Sequence, residues 1–167
     1  MDPARPTVRH AGLIALRWRG AWRGVLIEGP SGAGKSDLAL RALGQGFRLV
    51  ADDRTIVFAS GGRPFGRAPG PLAGLIEVRG LGVVAEPMLR CVEINLVARC
   101  VATAAEIDRC PDPALTALPG GHVHALDVFA AQDSAPAKLR RAIEHLGREG
   151  ATAYQTRLAQ GRSCAET

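Results

Sequence analysis

Gly29-Pro30-Ser31-Gly32-Ala33-Gly34-Lys35-Ser36 is the stretch whose reading decides the fold. It matches G-x-x-x-x-G-K-[ST] at every fixed position. Its glycines let backbone N–H groups close around phosphate oxygens with no Cβ in the way. Lys35 reaches for terminal phosphates as a point charge, and the hydroxyl of Ser36 suits Mg²⁺. The bare pattern arises by chance, so its flanks decide. Before it, Val25-Leu26-Ile27 is a short, fully apolar run, the pattern of a strand buried on both faces. After it, Ser36 to Leu43 carries apolar residues at 38, 39, 40, 42 and 43, which predicts a short helix stopping near Gly44 and Gly46. The positive end of that helix strengthens an anion site. Strand, glycine-rich loop and helix in this order predict an α/β domain that binds a nucleotide or another polyphosphate.

The remainder of the chain agrees with one compact domain. It has 167 residues, 47% hydrophobic, 22% charged and only 4% aromatic. That composition excludes disordered, collagen-like and coiled-coil classes, and its core must be built mainly from Val, Leu, Ile and Ala. The net charge is +5, yet of 21 basic residues only Lys35 and Lys138 are lysine. The arginines are scattered rather than clustered, which argues against nucleic acid as the partner. No run approaches the ~18 apolar residues of a membrane span, and the N-terminus lacks a signal-peptide core, so no membrane partner is expected. The four cysteines, Cys91, Cys100, Cys110 and Cys164, show no metal spacing and read as free, mostly buried thiols of a cytoplasmic protein.

Further strands are expected over Thr7–Leu16, Leu49–Ala51, Ile56–Phe58, Leu75–Val78, Val92–Cys100 with one face covered, and His122–Val128. Gly20 sits at the tip of a hairpin flanked by Trp18 and Trp22, which either form a partner-binding rim or pack over the sheet edge. Arg63–Gly74, rich in Pro and Gly, reads as a surface loop. Asp133 or Ser134 starts a last helix with Pro136 in its first turn and an apolar stripe of Leu139, Ala142, Ile143 and Leu146, ended by Gly147. Its basic residues Lys138, Arg140, Arg141 and Arg148 offer a protein-docking face or a solvated one. The reading is a catalytic domain over residues 1–150 and a polar tail over 151–167, frayed or disordered. His122 and His124, two apart, share a face if extended; a metal site there is conceivable, an exposed or core-edge pair commoner.

Two further features narrow the chemistry. Leu49-Val50-Ala51 ends abruptly on Asp52-Asp53, only sixteen residues after Ser36. Neighbouring side chains of a strand point opposite ways, so one carboxylate can face a metal while the other faces an incoming hydroxyl. Then Ile76-Glu77-Val78-Arg79-Gly80-Leu81-Gly82 sets a carboxylate and a guanidinium on one face of an extended run, beside glycines that permit close backbone approach. Together with the loop, these segments resemble the HPr kinase/phosphorylase family of bacteria, and Val8-Arg9-His10-Ala11-Gly12 is similar to that family's His-Gly strand. The resemblance covers about residues 8 to 100.

The resemblance implies a single P-loop domain with a mixed β-sheet and flanking helices. It implies an ATP-dependent protein-serine kinase acting on HPr, the phosphocarrier of the sugar phosphotransferase system. Gly29, Pro30, Ser31, Gly32, Ala33, Gly34, Lys35 and Ser36 would then hold ATP. Ser36, Asp52 and Glu77 would hold Mg²⁺, and Asp53 would be the base, tuned by His10 and assisted by Lys35. Family members also run the reverse step, with phosphate as acceptor and pyrophosphate as product. The family's later segment, a proline followed by arginines, glycine and asparagine, is matched poorly by Leu118-Pro119-Gly120-Gly121-His122, which weakens the expectation for that direction. The family's additional N-terminal domain has no counterpart here, so a short form is expected, and family likeness implies a cytoplasmic hexamer. Two alternatives stay open: a small-molecule P-loop kinase, and an ATP- or pyrophosphate-sensing module without turnover.

Overall fold

Apolar residues on either side of Gly20 form an antiparallel hairpin of β2 (Gly12–Trp18) and β3 (Ala21–Glu28). Arg19 and Gly20 join them with φ of 48° and 80°, the two positive values of a type I′ turn that matches strand twist. The computed structural model describes residues 5–109 and 111–146. Around the hairpin stand β1 (Thr7–Arg9), helix α1 (Lys35–Leu43), β4 (Arg48–Ala51), β5 (Thr55–Ser60), β6 (Arg63–Arg67), β7 (Leu75–Val78) and β8 (Gly82–Ala85). β9 (Val92–Cys100), β10 (Ala114–Leu118), β11 (Gly121–Val128) and helix α2 (Ala135–Leu146) follow. Among the described residues, nine strands make one mixed sheet in the order β1-β5-β6-β9-β3-β2-β4, with β11 on β9 and β10 on β11, while β7 and β8 pair apart.

Strand directions explain where a site can form. β3 and β4 are each antiparallel to β2, so they run the same way and end at the same edge of the sheet. β9 is parallel to β3 and β11 is parallel to β9, which brings four carboxyl ends together. Ligands of α/β proteins bind outside such ends. β2 starts at that edge, between β3 and β4, and therefore carries His10 and Ala11 there.

The central strands have no solvent face. Ile14, Leu16, Val25, Ile27, Leu96 and Ala98 pack with Leu38, Ala39 and Ala42 of α1 and Leu139, Ala142 and Ile143 of α2. The alternate residues Leu13, Ala15, Leu26 and Val97 pack with Val57 of β5, Val123 and Ala125 of β11, and Val50. Each fully buried Leu, Ile or Val contributes about 1.5–3 kcal/mol by leaving water, so both layers of cover are required.

The structure corrects several expectations. Thr7–Leu16 is two strands, because β1 pairs with β5 whereas β2 pairs with β3 and β4, and the chain changes layer at His10-Ala11. Arg63–Gly74 holds strand β6 and a 3₁₀ turn at Gly70–Leu72. Cross-strand packing of Phe58 and Phe65, 6.2 Å between centroids, and pairing with β9 override the weak strand propensity of Pro64 and Gly66. β9 is buried on both faces rather than one. Strands β8 and β10 were not expected, being short and weakly patterned. Of the cysteines, Cys100 is buried but Cys91 is exposed; Cys110, Cys164, Arg148, the Gly147 stop and the 151–167 tail lie outside the described residues. Trp18 and Trp22 are both partly buried against the two core layers, the packing alternative. On α2, Arg140 bonds the Gln45 carbonyl and covers Phe47, Lys138 bonds Gln132, and Arg141 pairs with Glu144.

β3 and β9 leave no room for a side chain at Gly24. Their register shifts there, opposite the buried Asn95, whose side-chain oxygen accepts the Gly24 N–H at 3.2 Å. A Cβ on Gly24 would stand 2.6 Å from the Glu93 carbonyl oxygen and 2.8 Å from Val92, and backbone cannot yield cheaply. Gly24→Ala is expected to cost about 1–3 kcal/mol, read as a lower urea midpoint with an unchanged slope. Gly44→Ala, at an exposed position with helical φ of −63° where an added Cβ would meet the Arg41 carbonyl oxygen at 3.4 Å, serves as the control and should leave the midpoint unmoved or slightly raised.

Candidate active site

The loop between β3 and α1 closes on itself at the sheet edge. Gly29, Gly32 and Gly34 have φ of 149°, 80° and 84°, values that L side chains rarely adopt. Gly29 is also sterically fixed: a Cβ would stand 2.8 Å from the Cβ of Cys100 at the end of β9. Ala33 N–H donates to the Pro30 carbonyl at 3.2 Å. Lys35 is 7% exposed, and its ammonium donates to the carbonyls of Gly29 and Pro30 at 3.0 and 2.9 Å. The first-turn amides of α1 have no partner within the helix. A ring of this shape suits an anion held by backbone amides with a cation beside it.

Asp52 ties three elements together. It is 5% exposed and sits just past β4. Its Oδ1 accepts the Ser36 hydroxyl at 2.8 Å, and its Oδ2 accepts the Glu77 backbone N–H of β7 at 3.1 Å. Each carboxylate oxygen keeps acceptor capacity beyond these bonds. A hydroxyl and carboxylate so arranged form the hard oxygen donor set that Mg²⁺ takes alongside substrate phosphates. Glu77 lines a cleft that it shares with Lys35 and Ser36.

Asp53 faces elsewhere, for a reason different from strand alternation. β4 has already ended, and Asp53 has φ of 61° while Arg54 N–H donates back to the Asp52 carbonyl at 2.6 Å. This is a γ-turn of the rare left-handed kind. It turns the Asp53 carboxylate outward, where Oδ1 lies 3.1 Å from His10 Nδ1 and Oδ2 lies 3.7 Å from Arg54 Nε. Both His10 and Asp53 are about half exposed.

A cleft of about 430 Å³ gathers His10, Ser31, Gly32, Gly34, Lys35, Ser36, Asp53 and Glu77. Asp52 lies beneath it, while Gly29, Pro30 and Ala33 build the loop. Residue types alone did not point to Asp37, Leu40, Val78 and Arg79, which also line it. Arg79 lay within the quoted Glu–Arg segment, but the run is not extended that far: β7 ends at Val78 and Arg79 stands in the turn to β8, so its presence in the cleft comes from the turn and not from alternation with Glu77. His122 and His124 are remote from this group: they lie on β11 opposite Ala117 and Leu115. Burial pushes the His124 imidazole below its ordinary range, and no cluster of three or more His, Cys, Asp or Glu side chains suited to a metal occurs among the described residues.

The family described as HPr Serine kinase C-terminal domain matches residues 6–89. An HPr kinase/phosphorylase from Clostridium tetani is 46% identical over 66 residues, 40% of this chain and 22% of that protein. One from Lacticaseibacillus casei is 48% identical over 62 residues, 36% of this chain and 19% of that protein. The chain thus matches about a fifth of the length of these relatives. A solved structure, the Hpr(Ser) kinase/phosphatase from Coxiella burnetii, superposes with a TM-score of 0.70 at 20% identity, covering 83% of this chain and 94% of the other. That likeness shows the fold, a mixed sheet with flanking helices. Among the described residues no helix is long and apolar enough to cross a membrane.

Cys100, packed under Gly29, yields a pH prediction. Burial raises its thiol from the ordinary 9.0 to about 11, opposed more weakly by the Lys35 ammonium. Between those two values the unfolded chain loses this proton while the folded chain keeps it. Stability should therefore fall as pH rises through the window. Cys100→Ala removes that contribution, so its urea midpoint should decline less steeply from about pH 9 to 11 than wild type. Parallel declines would show that Cys100 ionises equally in both states.

Proposed function

The chain belongs to the HPr Serine kinase C-terminal domain family, and on that footing we propose that it transfers a phosphoryl group from ATP to a serine hydroxyl of an HPr-like phosphocarrier. One observation carries this reading beyond the family assignment. The two adjacent carboxylates are split, Asp52 onto Ser36 beneath the loop and Asp53 onto His10 at the cleft mouth. A purely nucleotide-sensing module has no use for the second of these.

The geometry supports a role for each residue. Loop amides and Lys35 hold the phosphates of ATP. Ser36 and Asp52, with Glu77 beside them, hold Mg²⁺, which when bound neutralises charge on the phosphate oxygens. A serine hydroxyl is a poor nucleophile at neutral pH. Asp53 accepts its proton as the oxygen attacks, and His10 Nδ1 beside Oδ1 fixes the carboxylate's orientation. A positioned base of this kind contributes about 10²–10⁴-fold. In the reverse direction the protonated Asp53 returns its proton to the serine oxygen while inorganic phosphate accepts the phosphoryl group, giving pyrophosphate. The names of the relatives support that second activity. Family resemblance further supports a cytoplasmic setting and a hexameric assembly.

The test is transfer of labelled γ-phosphate from ATP to purified HPr in the presence of Mg²⁺. Wild type should label a serine. Asp53→Asn should keep the Kd for ATP and lose at least about 10²-fold in transfer, whereas Lys35→Ala should lose ATP binding. Equal loss of binding in both variants would overturn the division of roles. Tight ATP binding without labelling of any carrier would shift the assignment to a sensing module. Adding phosphate to the labelled carrier and assaying pyrophosphate tests the reverse step.

A further inference from the structure

The exposed carboxylate at position 53 depends on a backbone turn that is costly to hold, and its restraint comes from a residue outside the cleft. Thr55, at the start of β5, is fully buried. Its hydroxyl donates to the Ala11 carbonyl at 2.8 Å, and the Ala11 N–H donates to the Asp53 carbonyl at 3.1 Å. Ala11 is the residue next to His10. The chain of bonds Thr55 to Ala11 to Asp53 therefore joins the two residues that meet at the cleft mouth, from behind. Left-handed φ in a non-glycine residue is strained and persists only where its surroundings over-determine it.

We propose that Thr55 is a positioning residue for the phosphoryl transfer: its buried hydroxyl, through Ala11, sets the register between the His10 segment and the Asp53 turn. The inference rests on the reading of Asp53 as base. Thr55 separates this role from ordinary packing, because its two branches do different things. Its methyl faces Gly66 of β6, and only its hydroxyl reaches Ala11. Thr55→Val keeps a β-branched shape and removes the hydroxyl. Thr55→Ser keeps the hydroxyl and removes the methyl. If Thr55 merely filled space, Ser would be the worse substitute.

Two measurements on the full chain test this. In transfer from ATP to HPr, Thr55→Val should lower kcat by about 10–10²-fold, the scale of misplacing a catalytic group by about an ångström. The KM for ATP should stay within about twofold, because the loop and Lys35 are untouched, and Thr55→Ser should retain most of wild-type kcat. Amide hydrogen exchange needs no activity: Thr55→Val should speed exchange at Ala11 at least tenfold, with Leu26 in the core as reference, and Thr55→Ser should not. A Ser variant as impaired as Val, a KM rising in step with the loss of kcat, or unchanged exchange at Ala11 in the Val variant would each overturn the proposal. Wild-type protein that labels no carrier would overturn the kinase reading instead, and the exchange comparison would still decide whether the hydroxyl holds the turn.

Discussion

A sheet whose central strands have no wet face constrains everything around it. β3 and β9 pair in parallel, and both are buried above and below. Parallel neighbours cannot be joined by a tight turn, and a doubly buried strand must be covered twice. The helices answer on one side. On the other, β5 and β6 return over the sheet, with β1 pairing along their edge. Layer, connection and strand direction all follow from that single demand for cover.

The same demand builds the site. Parallel strands end together, so the β3 loop, the β4 carboxylates and the end of β9 share one rim. Gly29 touches Cys100 because their strands are neighbours, and His10 stands between because β2 enters there. Asp52 then locks the rim, since a carboxylate this deeply buried requires donors, and it takes them from α1 and from the separate β7–β8 hairpin. The loop, the acidic pair and the Glu77–Gly82 segment are held in one frame by one side chain.

What was legible beforehand follows from range. The strand, loop and helix around Gly29–Ser36 are written in adjacent residues, and so is the acidic pair after Ala51. The roles suggested for Asp52 and Asp53 needed only that the two face apart, which they do, although a γ-turn separates them where strand alternation was expected. β6 was hidden because its proline and glycine argue locally against a strand, whereas its support from Phe58 and Glu93 comes from distant partners. Thr55 was hidden for the same reason. One hydroxyl in an apolar run says nothing until the segment carrying Ala11 lies beside it. His122 and His124 show the converse, a suggestive spacing that gathers no third ligand among the described residues.

The β2–β3 hairpin has an optical consequence. The chain contains two tryptophans, and the turn at Arg19-Gly20 sends Trp18 against the helix-covered layer and Trp22 against the other. Arg19 also lies over the Trp18 ring at 5.8 Å, so the two indoles differ in electrostatic surroundings. Each therefore has its own emission environment and watches one side of the sheet. With either one replaced by phenylalanine, the remaining fluorescence reports loosening of the helical cover or of the β cover separately, a built-in pair of probes for whether the two layers come apart together.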